Sequence, residues 1–307
     1  MKSFAPRCSE FWRCPNDVNT MSNRHLRVGV LINHGSVLGR SLLNHLDDKG
    51  GVNTLFISHS DTGREKWKRI GKLIKRDGIV RIVDQGLGSI YRKLIWGRNE
   101  ARQLADLIDL EKVNASLPHH IRVYNVPCVN SAEMEAVLRE ADLDVLCVMC
   151  KEMLPKSLLR IPRRGVIGQH PGITPHYRGS WSAFWALANG EPHMIGTTVF
   201  VMDERADTGA VIYQERVEIE PGKDTFYSLT VKGQIKSAVL MARALDDLRH
   251  DRLKSFKRVS NRKKTYYPVP GLTDFVASRR RVNSALAKAA RQTTSTSEEI
   301  SRVATRL

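Results

Sequence analysis

The chain has 307 residues, of which 41% are hydrophobic and 26% are charged, and these are the proportions of a globular protein. No stretch reaches the roughly 18 consecutive apolar residues of a membrane-spanning helix, so we expect no membrane partner. The net charge is +17, and residues 251–307 carry 14 Lys or Arg against 4 Asp or Glu. Such a basic end fits nucleic acid or an anionic surface, but its composition is more typical of a solvated, partly helical segment.

The first 24 residues lack the continuous apolar centre of a secretory signal, and we expect a disordered arm there. The chain has five cysteines, of which Cys147 and Cys150 form a C-x-x-C motif within an apolar strand pattern. No second cysteine or histidine pair stands at the spacing of a zinc site. We therefore expect no metal, reduced thiols and a cytoplasmic location.

The first predicted strand covers residues 26–32, a short apolar run of the buried kind. Gly35 and an amphipathic helix over residues 36–48 follow, and residues 53–59 form a second strand. A strand, a glycine turn, a helix and another strand predict a right-handed parallel unit. Residues 61–118 are mostly polar and predict helix and loop.

Regular elements return after residue 120. The predicted strands cover residues 121–127, 144–150, 165–170, 195–203 and 209–220, and the predicted helices cover residues 131–141, 180–190 and 225–249. This order predicts the α/β class, with an open, mostly parallel, twisted sheet and helices on both faces. We assign residues 25–250 to this domain and residues 251–307 to a short basic extension, partly disordered.

Two polar side chains fall where open sheets of this class place their sites, at the carboxyl ends of strands. His170 ends the strand "GVIGQH", and Asp207 lies between the last two strands. Imidazole titrates near neutral pH, and a carboxylate stabilises its charged form, so such a pair can move protons. Spacing along the chain alone would leave both residues open to a structural role.

The sequence around His170 and Asp207 adds evidence for a catalytic role. "HPGITPHYRG" after the strand, followed by "GTTVFVMDERADTG" after a helix, resembles the formyltransferases that use 10-formyltetrahydrofolate. This family includes glycinamide ribonucleotide, methionyl-tRNA and sugar N-formyltransferases, whose Rossmann-like fold matches the predicted sheet. The resemblance implies that His170 and Asp207 are catalytic: they stabilise the oxyanion formed when an amine attacks the formyl carbon, and they carry the proton of that amine.

The resemblance also implies binding residues. The segments expected to hold the folate, largely through backbone groups, are Lys151, Glu152, Met153, Leu154 and the loop from Asp203 to Asp207. The turn with Gly35 and Ser36, before a predicted helix, resembles the turn that binds substrate phosphate in the purine-pathway members. With Gly168 and Gln169 beside the histidine, these are the expected substrate-binding residues.

One position departs from the family pattern. The family has asparagine two residues before the histidine, where this chain has Gly168, and the lost amide donor is typically worth about 100- to 1,000-fold in rate. Gln169 is a poor replacement, because neighbouring strand residues face opposite sides of a sheet. Another donor with a different acceptor, a bulkier acceptor, or a folate-binding protein without turnover are all compatible with this change.

We expect the acceptor to be a small-molecule amine, such as an amino sugar nucleotide or an amino-acid derivative. Only about 60 residues follow the catalytic region, which is short for an independent tRNA-binding domain. Binding of tRNA through the basic extension remains an alternative, as does hydrolysis of the formyl donor. A homodimer is compatible with the sequence.

Overall fold

The computed structural model describes residues 26–304, apart from residues 60–62, 109–112, 114–115 and 221. The strands in chain order are β1 Val28–Asn33, β2 Thr54–Ser58, β3 Arg122–Val126, β4 Val145–Met149, β5 Val166–His170, β6 Arg178–Gly179, β7 Gly196–Val201, β8 Val211–Arg216 and β9 Tyr266–Tyr267. The helices are α1 Val37–Gly50, α2 Gly63–Asp77, α3 Ile79–Leu107, α4 Ala132–Glu140, α5 Lys156–Leu159, α6 Ser182–Ala188, α7 Phe226–Arg249 and α8 Leu272–Ala304.

Seven strands form one sheet in the order β3-β2-β1-β4-β5-β7-β8. The five strands from β3 to β5 are parallel, whereas β7 is antiparallel to both β5 and β8. The chain moves outward from β1 to β3 and then returns to the other side of β1 with β4. This reversal opens a crevice at the carboxyl ends of the strands, the usual position of a ligand site in such sheets. The predicted mostly parallel α/β sheet is confirmed.

Alternating strand residues build a core on each face of the sheet. Val30 and Ile32 of β1 pack towards α1 and α7, while Leu31 packs towards α4 and α5. A parallel strand covered on both faces must be apolar along its whole length, which explains the continuous apolar runs in the sequence. These cores fix the carboxyl ends of β1, β4 and β5 relative to one another.

The part between β2 and β3 is more helical than predicted. It contains α2 and the 29-residue helix α3, whose inner face packs on α7 and α8. Trp96 of α3 contacts the rings of Phe226 and Phe275. Within the described part of the chain, no helix is both long enough and apolar enough to cross a bilayer.

The segment after α7 does not behave as a solvated extension. β9 pairs in parallel with β6, and α8 packs against α3 and α6. Tyr267, Phe275, Val282 and Ala285 are buried in the same cluster as α6. The prediction of a solvated segment is therefore wrong at these four positions, because their side chains complete a core that α6 begins.

Candidate active site

His170 is the last residue of β5, and only 4% of its surface is exposed. It pairs with Thr198 of β7, so the sheet holds its backbone on that side of the strand. Pro171 has no N–H with which to continue the ladder, and the chain turns there. A buried titratable side chain is thereby fixed at the carboxyl end of β5.

The imidazole of His170 is oriented by the loop that follows it. Its Nε2 lies 2.7 Å from the backbone carbonyl oxygen of Tyr177 and 2.9 Å from Ser182 Oγ. A carbonyl oxygen only accepts hydrogen bonds, so Nε2 carries the hydrogen. Nδ1 is then the nitrogen that is free to gain a proton on the side of the crevice.

Two buried threonines of β7 hold this loop in place. Thr198 Oγ1 donates to the carbonyl oxygen of Gly172 at 2.6 Å and accepts from Thr174 N at 3.2 Å. Thr197 Oγ1 donates to the carbonyl oxygen of His170 at 3.1 Å. Gly172 is required because a Cβ there would lie 2.5 Å from both His170 Nε2 and Ser182 Oγ. The loop and the imidazole are therefore packed as one unit.

Asp207 lies in the connection between β7 and β8, with a left-handed φ of 54°. Its Oδ2 accepts a hydrogen bond from Gly179 N at 2.9 Å, which joins it to the loop that orients His170. Gly209 permits the tight turn, since a Cβ there would lie 1.7 Å from the carbonyl oxygen of Val201. His170 Nδ1 and Asp207 Oδ2 are 3.6 Å apart.

This distance is too long for a direct hydrogen bond but short enough for a strong electrostatic interaction. Nδ1 can accept a proton from an amine that lies beside it, and the carboxylate of Asp207 faces the imidazolium that results. The residues predicted from two distant parts of the sequence are thus brought together. Their arrangement suits general base chemistry on a group entering the crevice.

The space above Gly168 is occupied by another side chain. A Cβ on Gly168 would lie 2.7 Å from Met202 Cγ and 2.9 Å from Met202 Sδ. Gln169 faces the other side of the sheet, where its Oε1 accepts from Ser237 Oγ of α7 at 3.1 Å. The structure therefore places Gln169 away from the imidazole, as strand alternation predicts, and Met202 beside Gly168.

The segment predicted to hold the folate begins directly after β4. Asn33, at the end of β1, accepts from the backbone N of Lys151 at 3.0 Å and donates to Glu152 Oε2 at 2.7 Å. Met153 is 48% exposed, whereas Leu154 is 3% exposed and packs in the core, so only its backbone can reach a ligand.

The second predicted folate segment lies close to the first. Lys156, two residues beyond Leu154, forms an ion pair of 2.6 Å with Glu204. The carboxylate of Asp203 accepts from Thr208 Oγ1 at 2.6 Å and from Arg205 N at 3.1 Å, which shapes the loop up to Asp207. The ion pair thus joins the two segments at the surface.

Gly35 and Ser36 lie at the carboxyl end of β1, which is separated from β5 by β4. Gly35 is exposed with a φ of 68°, and Ser36 Oγ caps α1 by accepting from Gly39 N at 3.0 Å. The turn is the helix start that the sequence predicts. It is not in direct contact with His170 or Asp207 through any hydrogen bond among the described residues.

A cavity of about 320 Å³ opens beside Asp207. Its walls are the 203–209 loop, the 174–178 part of the loop after β5 and residues 257–265. Five cationic side chains line it: Arg178, Arg205, Lys257, Arg258 and Arg262. The two lining carboxylates are those of Asp203 and Asp207, so the cavity has an excess of positive charge.

Two of these arginines are held in place by hydrogen bonds to neighbouring side chains. Arg262 forms a two-point contact of 2.6 and 2.9 Å with Glu191, which lies outside the cavity lining. Arg178 donates to Thr265 Oγ1 at 2.9 Å, and its buried Nε has no hydrogen-bond partner among the described residues. Burial, followed by the charge of Arg262, lowers the pKa of the neighbouring His176. This ring is therefore neutral at neutral pH. The excess positive charge of the cavity comes from the arginines and the lysine.

Several of these residues were not predicted from the sequence to belong to the site. Ser182 gave no signal, because a serine at the start of a predicted helix is usually a cap. Thr197 and Thr198 interrupt an otherwise apolar strand, and this interruption was a usable signal for buried hydrogen bonds. The cationic wall of residues 257–262 was visible as charge, but nothing local in the sequence indicates that it folds back onto Asp207.

The cysteines and histidines offer no alternative site in the described part of the chain. No group of three or more His, Cys, Asp or Glu side chains is arranged there as metal ligands would be. Burial raises the pKa of Cys147 and of Cys150 to about 12, so both remain thiols at neutral pH.

The sequence model described as "Formyl transferase" matches residues 109–245. A methionyl-tRNA formyltransferase from Deinococcus radiodurans is 38% identical over 133 residues, which are 43% of this chain and 39% of that protein. GDP-perosamine N-formyltransferase from Brucella melitensis is 33% identical over 132 residues, which are 41% of this chain and 50% of that protein. The chain thus spans half or less of the length of these curated relatives.

Among solved structures, a sugar N-formyltransferase from Shewanella sp FDAARGOS_354 aligns over 86% of this chain and 88% of its own, with a TM-score of 0.49 and 18% identity. The matched segment, residues 109–245, contains His170 and Asp207 and the loops that join them. Residues 109–245 of the chain are therefore similar to the formyl transferase family.

Proposed function

We propose that this protein transfers a formyl group from 10-formyltetrahydrofolate to the amine of a small molecule that carries a phosphate, such as an amino sugar nucleotide. The observation that carries the proposal is the 3.6 Å separation of His170 Nδ1 and Asp207 Oδ2 beside a cation-lined cavity. A base that faces an anion suits the deprotonation of an attacking amine. The cationic wall suits an acceptor with negative charge.

The roles of the two catalytic residues follow from their contacts. The Tyr177 carbonyl oxygen keeps the hydrogen of His170 on Nε2, so Nδ1 takes the proton of the amine as the new C–N bond forms. Asp207 stabilises the imidazolium through its charge, and Gly179 N fixes the carboxylate in place. The protonated Nδ1 would then donate a hydrogen bond to the oxyanion, and it would give the proton to the folate nitrogen as the bond between the formyl carbon and that nitrogen breaks.

The donor would lie between the Lys151–Leu154 segment and the loop from Asp203 to Asp207. The ion pair between Lys156 and Glu204 keeps these two segments adjacent, which supports this placement. Backbone groups of both segments would bind the edge of the pterin, and the half-exposed thioether of Met153 would contact its face.

The acceptor would enter through the cavity beside Asp207, with its amine at His170 and its phosphate at Arg178 and Arg258. The turn of Gly35 and Ser36 offers a second, more distant anion position at the start of α1. Because Gln169 faces α7, we do not assign it a contact with the acceptor.

A tetrahydrofolate-release assay with a panel of amines tests the proposal. His170→Ala should lower the rate about 100- to 10,000-fold, because the proton acceptor is lost. His250→Ala is the matched control, because that histidine is exposed at the end of α7. A parental rate in the His170 variant would refute the site, and release without an amine would indicate hydrolysis instead.

The acceptor phosphate is tested separately. Arg258→Ala should raise KM about tenfold or more for a phosphorylated amine, because a charge-assisted hydrogen bond is lost. KM for the matching unphosphorylated amine should stay unchanged. An equal effect on both amines would mean that Arg258 has no contact with phosphate.

The same cationic wall favours a second candidate acceptor, an aminoacyl-tRNA, whose phosphates would bind it equally well. Formylation of methionyl-tRNA with a steep fall in affinity as salt rises would support it. Transfer to small amines, with no competition from tRNA at moderate salt, would reject it.

A further inference from the structure

The outer face of α3 exposes a continuous row of large apolar side chains. Val80, Val83, Leu87, Ile90 and Leu94 are between 47% and 81% exposed. Their spacing of three and four residues puts them on one side of the helix. At 1.5 Å per residue the row is about 21 Å long, which is far more than scattered surface residues provide.

This row is not a core face that has failed to pack. The opposite side of α3 is already buried: Trp96 contacts Phe275, and Arg92 lies 5.0 Å above the ring of Trp181. The helix is therefore held against α8 and the loop after β5. Its outer row requires a partner of its own.

The surroundings of the row are strongly basic. The α2–α3 segment, residues 63–107, contains 12 Lys or Arg against 5 Asp or Glu, a net charge of +7. Exposed cations border the apolar row, with Lys93 on one side and Arg98 and Arg102 on the other. Asp84 of the same helix is bound by Arg81 and Thr273.

The positive charge of the α2–α3 segment favours one kind of partner for the apolar row. A second copy of this chain would bring a segment of the same +7 charge against the first, at an unfavourable electrostatic energy. An anionic surface with an apolar interior complements both features. Trp67 of α2, which is 73% exposed, adds the side chain that is most enriched at the boundary between lipid and water.

We propose that the α2–α3 segment docks this protein on an anionic lipid surface. Val80, Val83, Leu87, Ile90 and Leu94 enter the boundary between headgroups and acyl chains, and the flanking lysines and arginines bind the phosphates. This surface lies outside the residues matched by the family model, which begin at residue 109. The proposal departs from the expectation of no membrane partner, which rested on spanning segments alone, and it does not depend on the proposed activity.

Sedimentation of the full-length protein with lipid vesicles tests the proposal. Vesicles with about 30% phosphatidylglycerol in phosphatidylcholine should bind the protein, and pure phosphatidylcholine should bind it weakly. Combining Leu87→Glu with Leu94→Glu should lower the partition coefficient about tenfold or more, because two apolar contacts become charges. Val239→Glu adds a single glutamate at an exposed valine on α7, and it is the control for an added charge away from the apolar row.

Any one of the following three outcomes would overturn the proposal. Absence of binding to the anionic vesicles would reject it directly. Binding that high salt abolishes but the paired glutamates leave unchanged would assign the contact to the basic charge alone. A dimer in solution that the paired glutamates dissociate, without any vesicle binding, would make a second copy the partner of this row.

Trp67→Phe should also remove most of the vesicle-induced change in tryptophan fluorescence.

Discussion

Restoring the amide that the family pattern places at position 168 requires two changes. In Gly168→Asn the new Cβ would lie 2.7 Å from Met202 Cγ and 2.9 Å from Met202 Sδ, so Met202 must move. Overpacking of this kind costs about 1–3 kcal/mol, which corresponds to roughly 3–10 °C in Tm for a domain of this size. The displaced thioether would also push the amide away from its productive position.

Met202→Ala removes both clashing atoms. The double variant should therefore recover part of the lost Tm, and its amide should be free to donate to the formyl oxygen. A correctly placed donor of this type is worth about 100- to 1,000-fold in kcat. We expect Gly168→Asn alone to gain little and the double variant to exceed both single variants.

Thermal melting and tetrahydrofolate release, measured on the parent and all three variants, give the coupling between the two positions. If Gly168→Asn alone keeps the parental Tm and equals the double variant in rate, Met202 does not occupy the amide position. If the parent is inactive and only the double variant turns over, the natural protein binds its ligands without transfer.

Other predictions concern the loop and its surroundings. Gly172→Ala should abolish turnover, because its Cβ would lie 2.5 Å from His170 Nε2; a kcat near that of the parent would mean that the ring can rotate freely. Thr198→Val should lower the free energy of unfolding by about 1–3 kcal/mol, since two buried groups lose their partner; urea denaturation measures this, and no change would contradict the network. The pKa of His176 is lowered from 6.5, first by burial and then by Arg262, so the unfolded chain takes up the proton first and stability falls as pH drops below about 6.5. His176→Asn should make Tm less sensitive to pH between about 7.5 and 5.5, and an unchanged pH profile would reject this assignment.

The parts of the fold that follow from local pattern were predictable. The apolar runs of β1 and β4 became strands as predicted, because a parallel strand covered on both faces is apolar along its length. His170 and Asp207 could be placed at one edge, since strand ends in an open α/β sheet meet there. Their approach to 3.6 Å depends on the antiparallel pairing of β5 with β7, which the sequence pattern does not specify.

The remaining features depend on contacts between distant segments. Nothing near Tyr267 indicates that β9 pairs with β6, because a two-residue strand is too short to leave a pattern. The polar composition around α3 concealed its apolar row, since lysines and arginines outweigh it in any average over the segment. Met202 could not be connected with Gly168 without the register of β7 against β5.

The separation of two tasks within the site has a consequence for how this protein could change. In the proposed function, bond making would rely on β5, β7 and the turn after β7. Four residues of the cavity wall, Lys257, Arg258, Ser260 and Arg262, come from chain beyond α7. Exchanging arginine for a neutral or acidic residue in that strip would redirect the protein towards uncharged or cationic amines. The proposed proton-transfer residues, His170 and Asp207, would stay unchanged. One or two substitutions in the cavity wall would therefore change which acceptor is bound.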